Sequence, residues 1–483
     1  MATCIQCGRE VPEQFAGSPC PVCVHRAREA SQRRQFWEYV RHALSSVTGV
    51  LIGANVLVFL AMVLRGVSPT EPTVDQILRW GANFGPYTLD HQWWRLLTCM
   101  FLHIGIVHLL LNMWALLNVG PLAEAVYGRL NFLLIYFICG LSGSLASLLW
   151  NPAVTSAGAS GAIFGIIGAL IATLYFDKVR IPRHISRPIL TSLVASAISV
   201  LAYGYFKTGI DNGAHIGGLV SGLILGTIIG RHLERTEQAR RFQQVVFAIS
   251  AVVLIATGFV LQRIAHYVVP LEKAESALAS GKPDTALPYA DQAVREKPGS
   301  AEVHFIRANV LARMNQPQQS EEEFKRVLQI QPKQARAWNA LGRLYVRQNR
   351  WPDAAQAFTK ATDLAPTDAS SWYDLGLTLQ RLNRPDQAIP ALKRAAQLRP
   401  AAPDYWFTLG LTAMSSKNYD EAISAFQQAA KLVPNEPEPV LWLANAYAAK
   451  GMHPESEAAY AQAQQLANAK AAQKKQQRSA PSQ

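Results

Sequence analysis

Ser160 and His215 are the two residues whose types and surroundings could carry out chemistry. Ser160 lies in a Gly-Ala-Ser-Gly segment near the start of one long apolar stretch, and His215 lies near the start of another. Polar and ionisable side chains within membrane-spanning stretches are costly and usually mark function. A serine hydroxyl becomes a good nucleophile when a base takes its proton, so this pair predicts nucleophilic catalysis with His215 as the base.

Acyl transfer also needs hydrogen-bond donors for the developing oxyanion. His108 and Asn112 are four residues apart and share one helix face, so with the backbone N–H of Ser160 they are predicted to form an oxyanion hole. His103 lies on a different face and is predicted to be structural. No carboxylate lies within the apolar parts of these stretches, which favours a dyad over a triad. Asp211, in the loop before the histidine, is expected to face water.

Seven apolar stretches are candidates for membrane-spanning helices, because a lone span must satisfy its backbone hydrogen bonds internally. They are 47–64, 96–118, 132–149, 158–176, 189–205, 214–230 and 245–269. The catalytic candidates therefore fall on the second, fourth and sixth spans, which run in the same direction. The sequence predicts that their polar groups converge at one depth. The alternative, scattered residues that make hydrogen bonds between helices, stays open.

Basic residues predict the orientation of these spans. They cluster before the first span, between the fourth and fifth, and after the sixth, and all three regions fall on one face. The cluster members are Arg26, Arg28, Arg33, Arg34, Arg41, Lys178, Arg180, Arg183, Arg187, Arg231, Arg235, Arg240 and Arg241. The positive-inside rule places that face, and the N-terminus, in the cytoplasm. An odd number of spans then places the C-terminal region outside, in a protein expected in a bacterial inner membrane.

Glycines predict a close approach of the fourth and sixth spans. The sixth span carries Gly218, Gly222 and Gly226 at four-residue spacing, and the fourth is rich in glycine as well. Small residues at this spacing allow two helix backbones to approach closely. A hydrogen bond between a serine and a histidine on different helices requires such an approach.

These motifs, in their order and spacing, resemble the rhomboid intramembrane serine proteases. The motifs are His103-x4-His108-x3-Asn112, then Gly158-Ala159-Ser160-Gly161, then Ala214-His215-Ile216-Gly217-Gly218, and the pair Trp94-Arg95 before the second span. The resemblance covers residues 45–232 and implies a six-helix core with a Ser160–His215 dyad. It also implies an oxyanion hole that includes His108 and Asn112, with no cofactor for catalysis. The implied substrates are single-span membrane proteins, cut within or just outside the bilayer.

The resemblance also assigns structural residues around the site. Gly158 and Gly161 flank the serine, and Trp94 and Arg95 match a tryptophan–arginine pair in the family's large first loop. Phe164 occupies a position where some members have tyrosine, and its ring is predicted to stack on the histidine. The loop 66–92 is predicted either to lie in the membrane surface or to cap the core.

Four cysteines near the N-terminus have the spacing of a zinc ribbon. Cys4, Cys7, Cys20 and Cys23 form C-x2-C-x12-C-x2-C, and two such pairs on turns can supply four thiolates to one tetrahedral Zn²⁺. The sequence therefore predicts a zinc-ribbon-like segment over residues 1–30. The alternative is a redox or disulfide pair in a disordered tail.

A 34-residue period dominates the region 271–467. Prolines recur at this step, and so do tryptophans, glycines and alanines; the members are Pro298, Pro332, Pro366, Pro400, Pro434, Trp338, Trp372, Trp406, Gly342, Gly376, Gly410, Ala354, Ala388 and Ala422. The period resembles tetratricopeptide repeats and predicts an α-solenoid that binds a protein or peptide. A scaffold that only spaces or oligomerises the protein is the alternative. Residues 468–483 are predicted to be a disordered tail.

Together these features predict an all-α membrane protein: a six-helix rhomboid core, a seventh transmembrane helix at 245–269, and a solenoid of repeats. The predicted function is intramembrane serine endopeptidase. A non-proteolytic membrane chaperone or quality-control adaptor is the alternative, and a transporter or metal carrier is disfavoured because spans three, five and seven carry few polar residues. The net charge of +13 is explained by basic residues that flank the spans, so no nucleic-acid partner is predicted.

Overall fold

The structure is a computed structural model, and it describes residues 2–7, 9–12, 19–20, 22–24, 46–176, 181–207, 209–234 and 236–479. The described chain forms two compact units, Met1–Val269 and Pro270–Gln483. Several basic residues used to predict the orientation lie outside the described residues. These are Arg26, Arg28, Arg33, Arg34, Arg41, Lys178, Arg180 and Arg235.

The first unit begins with a two-stranded antiparallel sheet and continues as helices. The strands are β1 (Ala2–Thr3) and β2 (Glu10–Val11). The helices are α1 (Val47–Leu64), α2 (Val74–Arg79), α3 (Gly85–Thr88), α4 (Arg95–Thr98), α5 (Ile106–Tyr127), α6 (Arg129–Trp150), α7 (Ser160–Tyr175), α8 (Arg183–Phe206), α9 (Asn212–Ile229) and α10 (Glu237–Ala265), with short 3₁₀ turns at Cys99–Phe101 and Gly230–His232.

Six of these helices, α1, α5, α6, α8, α9 (with the 3₁₀ turn after it) and α10, are long and apolar enough to cross a membrane. The seventh apolar helix, α7, has only 16 residues. At 1.5 Å per residue it is about 24 Å long, short of the roughly 30 Å hydrocarbon core. The predicted fourth span is therefore a short helix at the centre of the bundle, where most of its residues are buried.

The predicted second span, 96–118, was wrong in its bounds, because the helix runs from Ile106 to Tyr127. The chain before it forms α4, a 3₁₀ turn and an extended segment, and Gly105 adopts φ +89° just before α5. A Cβ at Gly105 would lie 2.7 Å from the carbonyl oxygen of Thr70, so the first loop packs against the start of this helix. His103 therefore precedes the helix instead of lying on it.

Close packing of α7 against α9 confirms the expectation from the glycines. A Cβ at Gly218 or at Gly222 would lie 1.9 Å from a backbone carbonyl oxygen of α7, at Gly161 and Gly165 respectively. The two backbones are therefore in direct contact over these turns. No side chain larger than hydrogen fits between them, and this contact fixes the register of the two helices that carry Ser160 and His215.

The first loop is held onto the bundle by its polar and apolar residues. Ile77 is fully buried and packs with Met62 and Leu102, so this part of the loop caps the core. Arg95 donates hydrogen bonds from Nη1 to the carbonyl oxygens of Leu78 (2.7 Å) and Ala82 (3.0 Å). The loop is thereby tied to the chain that leads into α5.

The second unit is a row of helix pairs. Its helices are α11 (Val268–Ala279), α12 (Pro283–Glu296), α13 (Ala301–Arg313), α14 (Pro317–Ile330), α15 (Ala335–Arg347), α16 (Trp351–Leu364), α17 (Ala369–Arg381), α18 (Pro385–Leu398), α19 (Pro403–Ser415), α20 (Tyr419–Leu432), α21 (Pro437–Lys450) and α22 (His453–Ser479). A Cβ at Gly342 would lie 2.7 Å from the ring of Phe358, so the repeated glycine lets the two helices of a pair cross closely. The predicted solenoid of helical repeats is confirmed.

The end of the solenoid differs from the prediction of a disordered tail at 468–483. The last helix, α22, continues to Ser479. Residues 468–479 are rich in Ala, Gln and Lys, which have high helix propensity, so the helix propagates beyond the last packed repeat. Residues 480–483 lie outside the described part of the chain.

Candidate active site

Ser160 and His215 are in hydrogen-bond contact, although they are 55 residues apart in sequence. The distance between Ser160 Oγ and His215 Nε2 is 2.9 Å. Ser160 is the first residue of α7, and His215 lies in the first turn of α9. His215 is buried and Ser160 is half-buried, so the pair sits at the margin of the packed bundle.

The imidazole of His215 is held by stacking on Phe164. Their ring centroids are 4.4 Å apart and the planes are inclined by 6°. Phe164 is one helical turn after Ser160, so the same helix supplies both the hydroxyl and the ring that orients its partner. The predicted stacking is thus present without a phenolic hydroxyl.

Two buried polar atoms near the dyad have no hydrogen-bond partner among the described residues. They are Nδ1 of His215 and Oδ2 of Asp211. The expectation that Asp211 faces water was wrong: its Oδ1 accepts a hydrogen bond from the backbone N–H of Ala214 (2.9 Å) and caps α9. No described carboxylate forms a hydrogen bond to His215 Nδ1.

His108 lies beside the serine with a defined tautomer. Its Nδ1 accepts a hydrogen bond from the backbone N–H of Ile104 (3.3 Å), so in the neutral ring the proton is on Nε2. A Cβ at Gly158 would lie 3.0 Å from that Nε2 and 3.6 Å from Ser160 Oγ. The Nε2–H donor and the serine oxygen therefore border the same small space, and Gly158, with φ +138°, leaves it open.

Asn112 lies one turn after His108 and is buried. Its Nδ2 donates to the carbonyl oxygen of His108 (2.9 Å), which uses one of its two N–H hydrogens and leaves the other available. The backbone N–H of Ser160 is at the N-terminus of α7, where N–H groups lack intrahelical acceptors. His108 Nε2–H and the Ser160 N–H thus lie near the start of α7, and Asn112 keeps one free N–H a turn after His108.

Of the residues predicted to be structural, His103 and Gly161 lie against site elements, whereas Trp94 and Arg95 contact the first loop. His103 is completely buried, edge-on to His108 at a centroid distance of 5.1 Å, and neither of its nitrogens has a partner among the described residues. The Arg95 guanidinium lies 4.8 Å from the ring centroid of Trp94 and binds loop carbonyls, as described above. Gly161 lies against the carbonyl of Ala214, where a Cβ would be 3.3 Å from that oxygen.

Sequence reasoning missed the residues that fix the segment before Ser160. Asn83 pairs with Ser156 through two backbone hydrogen bonds of 2.9 and 2.8 Å, and its side chain donates to the carbonyl of Ser144 (2.9 Å). Gly158 N–H donates to the carbonyl of Cys99 (2.9 Å). An asparagine in a loop carries no local signal for a contact 73 residues away, so this contact could not be found from sequence alone.

The N-terminal cysteines converge as predicted. The Sγ atoms of Cys4 and Cys23, and those of Cys7 and Cys20, are 3.9 Å apart, and all four lie within 4.8 Å of one another. Tetrahedral zinc with bonds of about 2.3 Å places its sulfurs about 3.8 Å apart. These separations are almost twice a disulfide bond, and all four cysteines are free. The donor set and its spacing therefore fit Zn²⁺.

Ionisation of these thiols differs with their surroundings. Backbone N–H groups, first that of Cys20 at 3.2 Å, hydrogen bond to the Cys4 sulfur and lower its pKa to about 6. The hydrogen bond with the Cys7 thiol, burial, and hydrogen bonds with the Cys20 and Cys4 sulfurs raise the pKa of Cys23 to about 12. Four thiolates this close repel one another, so ionising all four is unfavourable in the absence of a cation. A bound cation offsets this repulsion.

Two family models match the chain. One, described as the rhomboid domain, matches residues 90–232. The other, described as the C-terminal domain of cilia and flagella-associated protein 70, matches residues 269–480. The first includes the contact between Ser160 and His215, and the second spans the solenoid.

Curated relatives match the same N-terminal region. Rhomboid protease GluP of Bacillus subtilis is 36% identical over 192 residues, which are 40% of this chain and 36% of that protein. Rhomboid protease AarA of Providencia stuartii is 31% identical over 196 residues, 36% of this chain and 68% of that protein. RHOMBOID-like protein 2 of Arabidopsis thaliana is 39% identical over 34% of this chain and 55% of that protein. The chain spans a third to a half of the length of several of the curated relatives that it matches.

Solved structures match the second unit. The crystal structure of MamA is 24% identical with a TM-score of 0.34, and the match covers 35% of this chain and 93% of that one. A structure described as YrrB, a TPR protein with an unusual peptide-binding site, is 23% identical with a TM-score of 0.34, covering 37% and 91%.

Proposed function

The chain belongs to the rhomboid family, and from this premise we propose that it is a serine endopeptidase that cleaves membrane-protein substrates with Ser160 and His215. The single observation that carries the proposal is the 2.9 Å contact between Ser160 Oγ and His215 Nε2. The stacked ring of Phe164 supports it, because it holds the imidazole in the orientation that the contact needs.

The proposed reaction is acyl transfer through a covalent intermediate. His215 Nε2 takes the Ser160 hydroxyl proton as Oγ bonds to the scissile carbonyl carbon, and the carbonyl oxygen becomes an oxyanion. The same nitrogen then gives the proton to the leaving amine as the C–N bond breaks. Water attacks the resulting ester in the second half, with His215 again as the base, and releases the new carboxyl group and free serine.

Donors for the oxyanion are proposed to be the Nε2–H of His108, the amide of Asn112 and the backbone N–H of Ser160. The tautomer of His108 supports this role, because the contact of Nδ1 with Ile104 leaves the proton on the nitrogen near Ser160. The N-terminus of α7 adds the positive end of a helix dipole at the same point.

Replacement of His108 by alanine is expected to lower kcat about 10²- to 10³-fold, the usual effect of removing one oxyanion donor, with KM changed little. Cleavage kinetics on a single-span substrate in detergent micelles measure both constants. His184→Ala is the matched control, because His184 is exposed at the start of α8 and its loss should leave kcat unchanged. A His108→Ala enzyme with normal kcat would remove His108 from the oxyanion hole.

Peptide hydrolysis needs water at the dyad, and the length of α7 supports access from one side. Because this helix is about 24 Å long, its N-terminal residue Ser160 can lie beneath the membrane surface under a cavity open to that side. The implied substrates are single-span membrane proteins cut within or just outside the bilayer.

The proposed orientation has the N-terminus in the cytoplasm and the repeats outside, in a bacterial inner membrane. Of the described residues, the basic side chains at the start of α8, in the 3₁₀ turn after α9 and at the start of α10 support one basic face; they are Arg183, Arg187, Arg231, Arg240 and Arg241. We expect a periplasmic signal from alkaline phosphatase fused after Gln483. High activity from a cytoplasmic reporter, β-galactosidase, at the same fusion point would show that the number of spans is even.

Zinc at the N-terminal cysteines is proposed to be structural. The ion would be held by the four thiolates of Cys4, Cys7, Cys20 and Cys23. It would link the two cysteine-bearing loops of a small domain that has little other core.

Purified protein is expected to contain about one zinc per chain, and the double change Cys4→Ser and Cys7→Ser should abolish zinc binding. Cys99→Ser, a change at a buried thiol in the bundle, is the control and should retain the metal. Metal-free wild-type protein with four freely titrating N-terminal thiols contradicts the proposal.

The repeats are proposed to recruit a substrate or a protein partner. The solenoid is a stack of helix pairs of the type that forms extended binding surfaces. Proteins can be pulled down with the Ser160→Ala chain and with the same chain carrying glutamine at three solenoid arginines, Arg313, Arg347 and Arg381. Clients that are lost with the arginine changes bind the solenoid, and clients that are retained bind elsewhere, such as at the dyad.

A further inference from the structure

An arginine-lined groove runs along the second unit. The cavity has a volume of about 790 Å³ and is lined mainly by α13, α15 and α17, the first helices of three successive pairs. Five arginines line it: Arg313, Arg336, Arg343, Arg347 and Arg381. Among the described lining residues Asp374 is the one acidic side chain, so the lining carries an excess of positive charge.

The charge of these arginines is only partly neutralised within the chain. Arg343 pairs with Asp374 at 2.7 Å and Arg336 pairs with Glu302 at 2.9 Å, but Arg313 and Arg381 have no ion-pair partner among the described residues. Arg347 donates only to a neutral carbonyl, that of Ala312, at 3.3 Å. All five are exposed, and Arg313, Arg347 and Arg381 have no carboxylate partner among the described residues, so their donors are available to a ligand.

Helix capping accounts for some of these arginines but not for the set. Arg313, Arg347 and Arg381 end their helices, where the dipole favours a cation. Arg336, however, is in the first turn of α15, where the dipole disfavours one, and Arg343 is mid-helix. Arg336 is held over the ring of Phe305 at 4.0 Å. Arg336 and Arg343 each pair with one carboxylate, Glu302 and Asp374. Five arginines at one cavity thus meet two carboxylates, and this excess of positive charge points to an anionic ligand.

The spacing of the arginines selects an extended peptide. Arg313, Arg347 and Arg381 recur every 34 residues, at the same place in successive repeats. Packed helices lie about 8–10 Å apart, and an extended chain rises about 3.3 Å per residue, so every third residue of a peptide would meet the next arginine. Apolar lining residues between them, such as Ala340, Val346 and Leu377, suit apolar residues between the acids.

We propose that this groove binds an extended acidic peptide segment of a partner protein, with carboxylates at every third residue. Guanidinium groups bind carboxylates through paired, charge-assisted hydrogen bonds, which gives the groove its selectivity. The inference goes beyond the proposed protease and does not depend on its activity, because none of the lining residues belongs to the first unit.

The test uses the full-length Ser160→Ala chain in detergent, so that no probe is cleaved. Fluorescence anisotropy measures its affinity for a labelled peptide with three aspartates at every third position separated by Leu-Ala, and for the same peptide with asparagines. We expect at least tenfold tighter binding of the acidic peptide, and weaker binding at high salt. A peptide with three adjacent aspartates should bind less tightly than the spaced one.

Variants then locate the site. Arg347→Gln should weaken binding of the acidic peptide about tenfold, and the triple change at positions 313, 347 and 381 should abolish it. Arg394→Gln, a change at an exposed arginine of α18 outside the groove, should have no effect. Circular dichroism checks that each variant is folded. If the triple variant is unfolded, the affinity of Arg347→Gln alone tests the proposal.

Three results would overturn the proposal. Equal affinity for the aspartate and asparagine peptides would show that the groove does not select acidic residues. Equal losses of peptide affinity in Arg347→Gln and Arg394→Gln would show that the peptide does not bind in the groove. Tighter binding of phosphatidylglycerol vesicles or of a single-stranded RNA than of the peptide, lost in Arg347→Gln, assigns the arginines to a lipid or nucleic-acid ligand instead. Because the test is done without the nucleophile, none of these outcomes bears on the proposed protease.

Discussion

Ser160→Ala is expected to lower the rate of substrate cleavage by at least about 10³-fold and to leave the protein folded. The change removes the atom that attacks the scissile carbonyl, and the remaining donors can only stabilise a slow attack by water. It deletes one oxygen at a half-buried position and should therefore alter the thermal midpoint little. Cleavage of a single-span substrate in proteoliposomes, followed by gel electrophoresis, measures the loss.

The matched control is Ser221→Ala. Ser221 lies on α9, the helix that carries His215, and its hydroxyl donates to the carbonyl of Gly218 in its own helix (2.9 Å). Removing that hydroxyl should change activity less than twofold. Wild-type cleavage by Ser160→Ala, or an equal loss in both variants, would falsify the dyad and favour a non-proteolytic chaperone or adaptor.

A double variant sharpens this result. His215→Ala alone should lower the rate nearly as far as Ser160→Ala, because the serine hydroxyl is a weak nucleophile without its base. The double variant should then be no slower than Ser160→Ala alone. Additive losses would mean that the two side chains act independently, in spite of the 2.9 Å between Oγ and Nε2.

Gly222→Val is expected to destabilise the bundle by at least about 3 kcal/mol and to abolish cleavage. A Cβ at this position would lie 1.9 Å from the carbonyl oxygen of Gly165, and the neighbours of that oxygen are backbone atoms that cannot rotate away. The two helices must separate to relieve the overlap, and separation breaks the contact between Ser160 and His215. A thermal melt followed by circular dichroism measures the stability.

Gly53→Val is the control for this change. Gly53 is also inside an apolar helix, α1, but nothing lies within 4 Å of a Cβ built there. The two substitutions share the same side chain and the same loss of glycine, so they differ only in what the new atoms meet. Similar melting points for both variants would mean that α7 and α9 are less closely packed than their carbonyl contacts indicate.

Much of the site followed from local sequence because its determinants are local. Ser160, His215, His108 and Asn112 stood out as polar residues in apolar stretches, and the glycine spacing on α9 indicated which helix face must meet a neighbour. The 34-residue period likewise encodes one helix pair at a time, so the solenoid was predictable without any long-range contact.

Contacts between distant segments decided the rest. Hydropathy could not place the start of α5 at Ile106, because that depends on Gly105 packing against the backbone of Thr70 in the first loop. Asp211 was expected to face water, but it caps α9 through the backbone N–H of Ala214. Asn83 holds the segment before Ser160 through its backbone hydrogen bonds with Ser156.

The sequence by itself determined which chemical groups this protein has and which helices carry them, since side-chain type and helical periodicity are properties of short segments. Only the tertiary structure decided that a hydroxyl and an imidazole 55 residues apart meet at 2.9 Å. That distance is set by where the backbones of α7 and α9 stop approaching each other, and the stopping point depends on contacts of Gly218 and Gly222 with the carbonyls of a different helix. The glycine spacing in the sequence indicates that two helices can approach closely. The register at which they meet is decided only when α7 and α9 pack together.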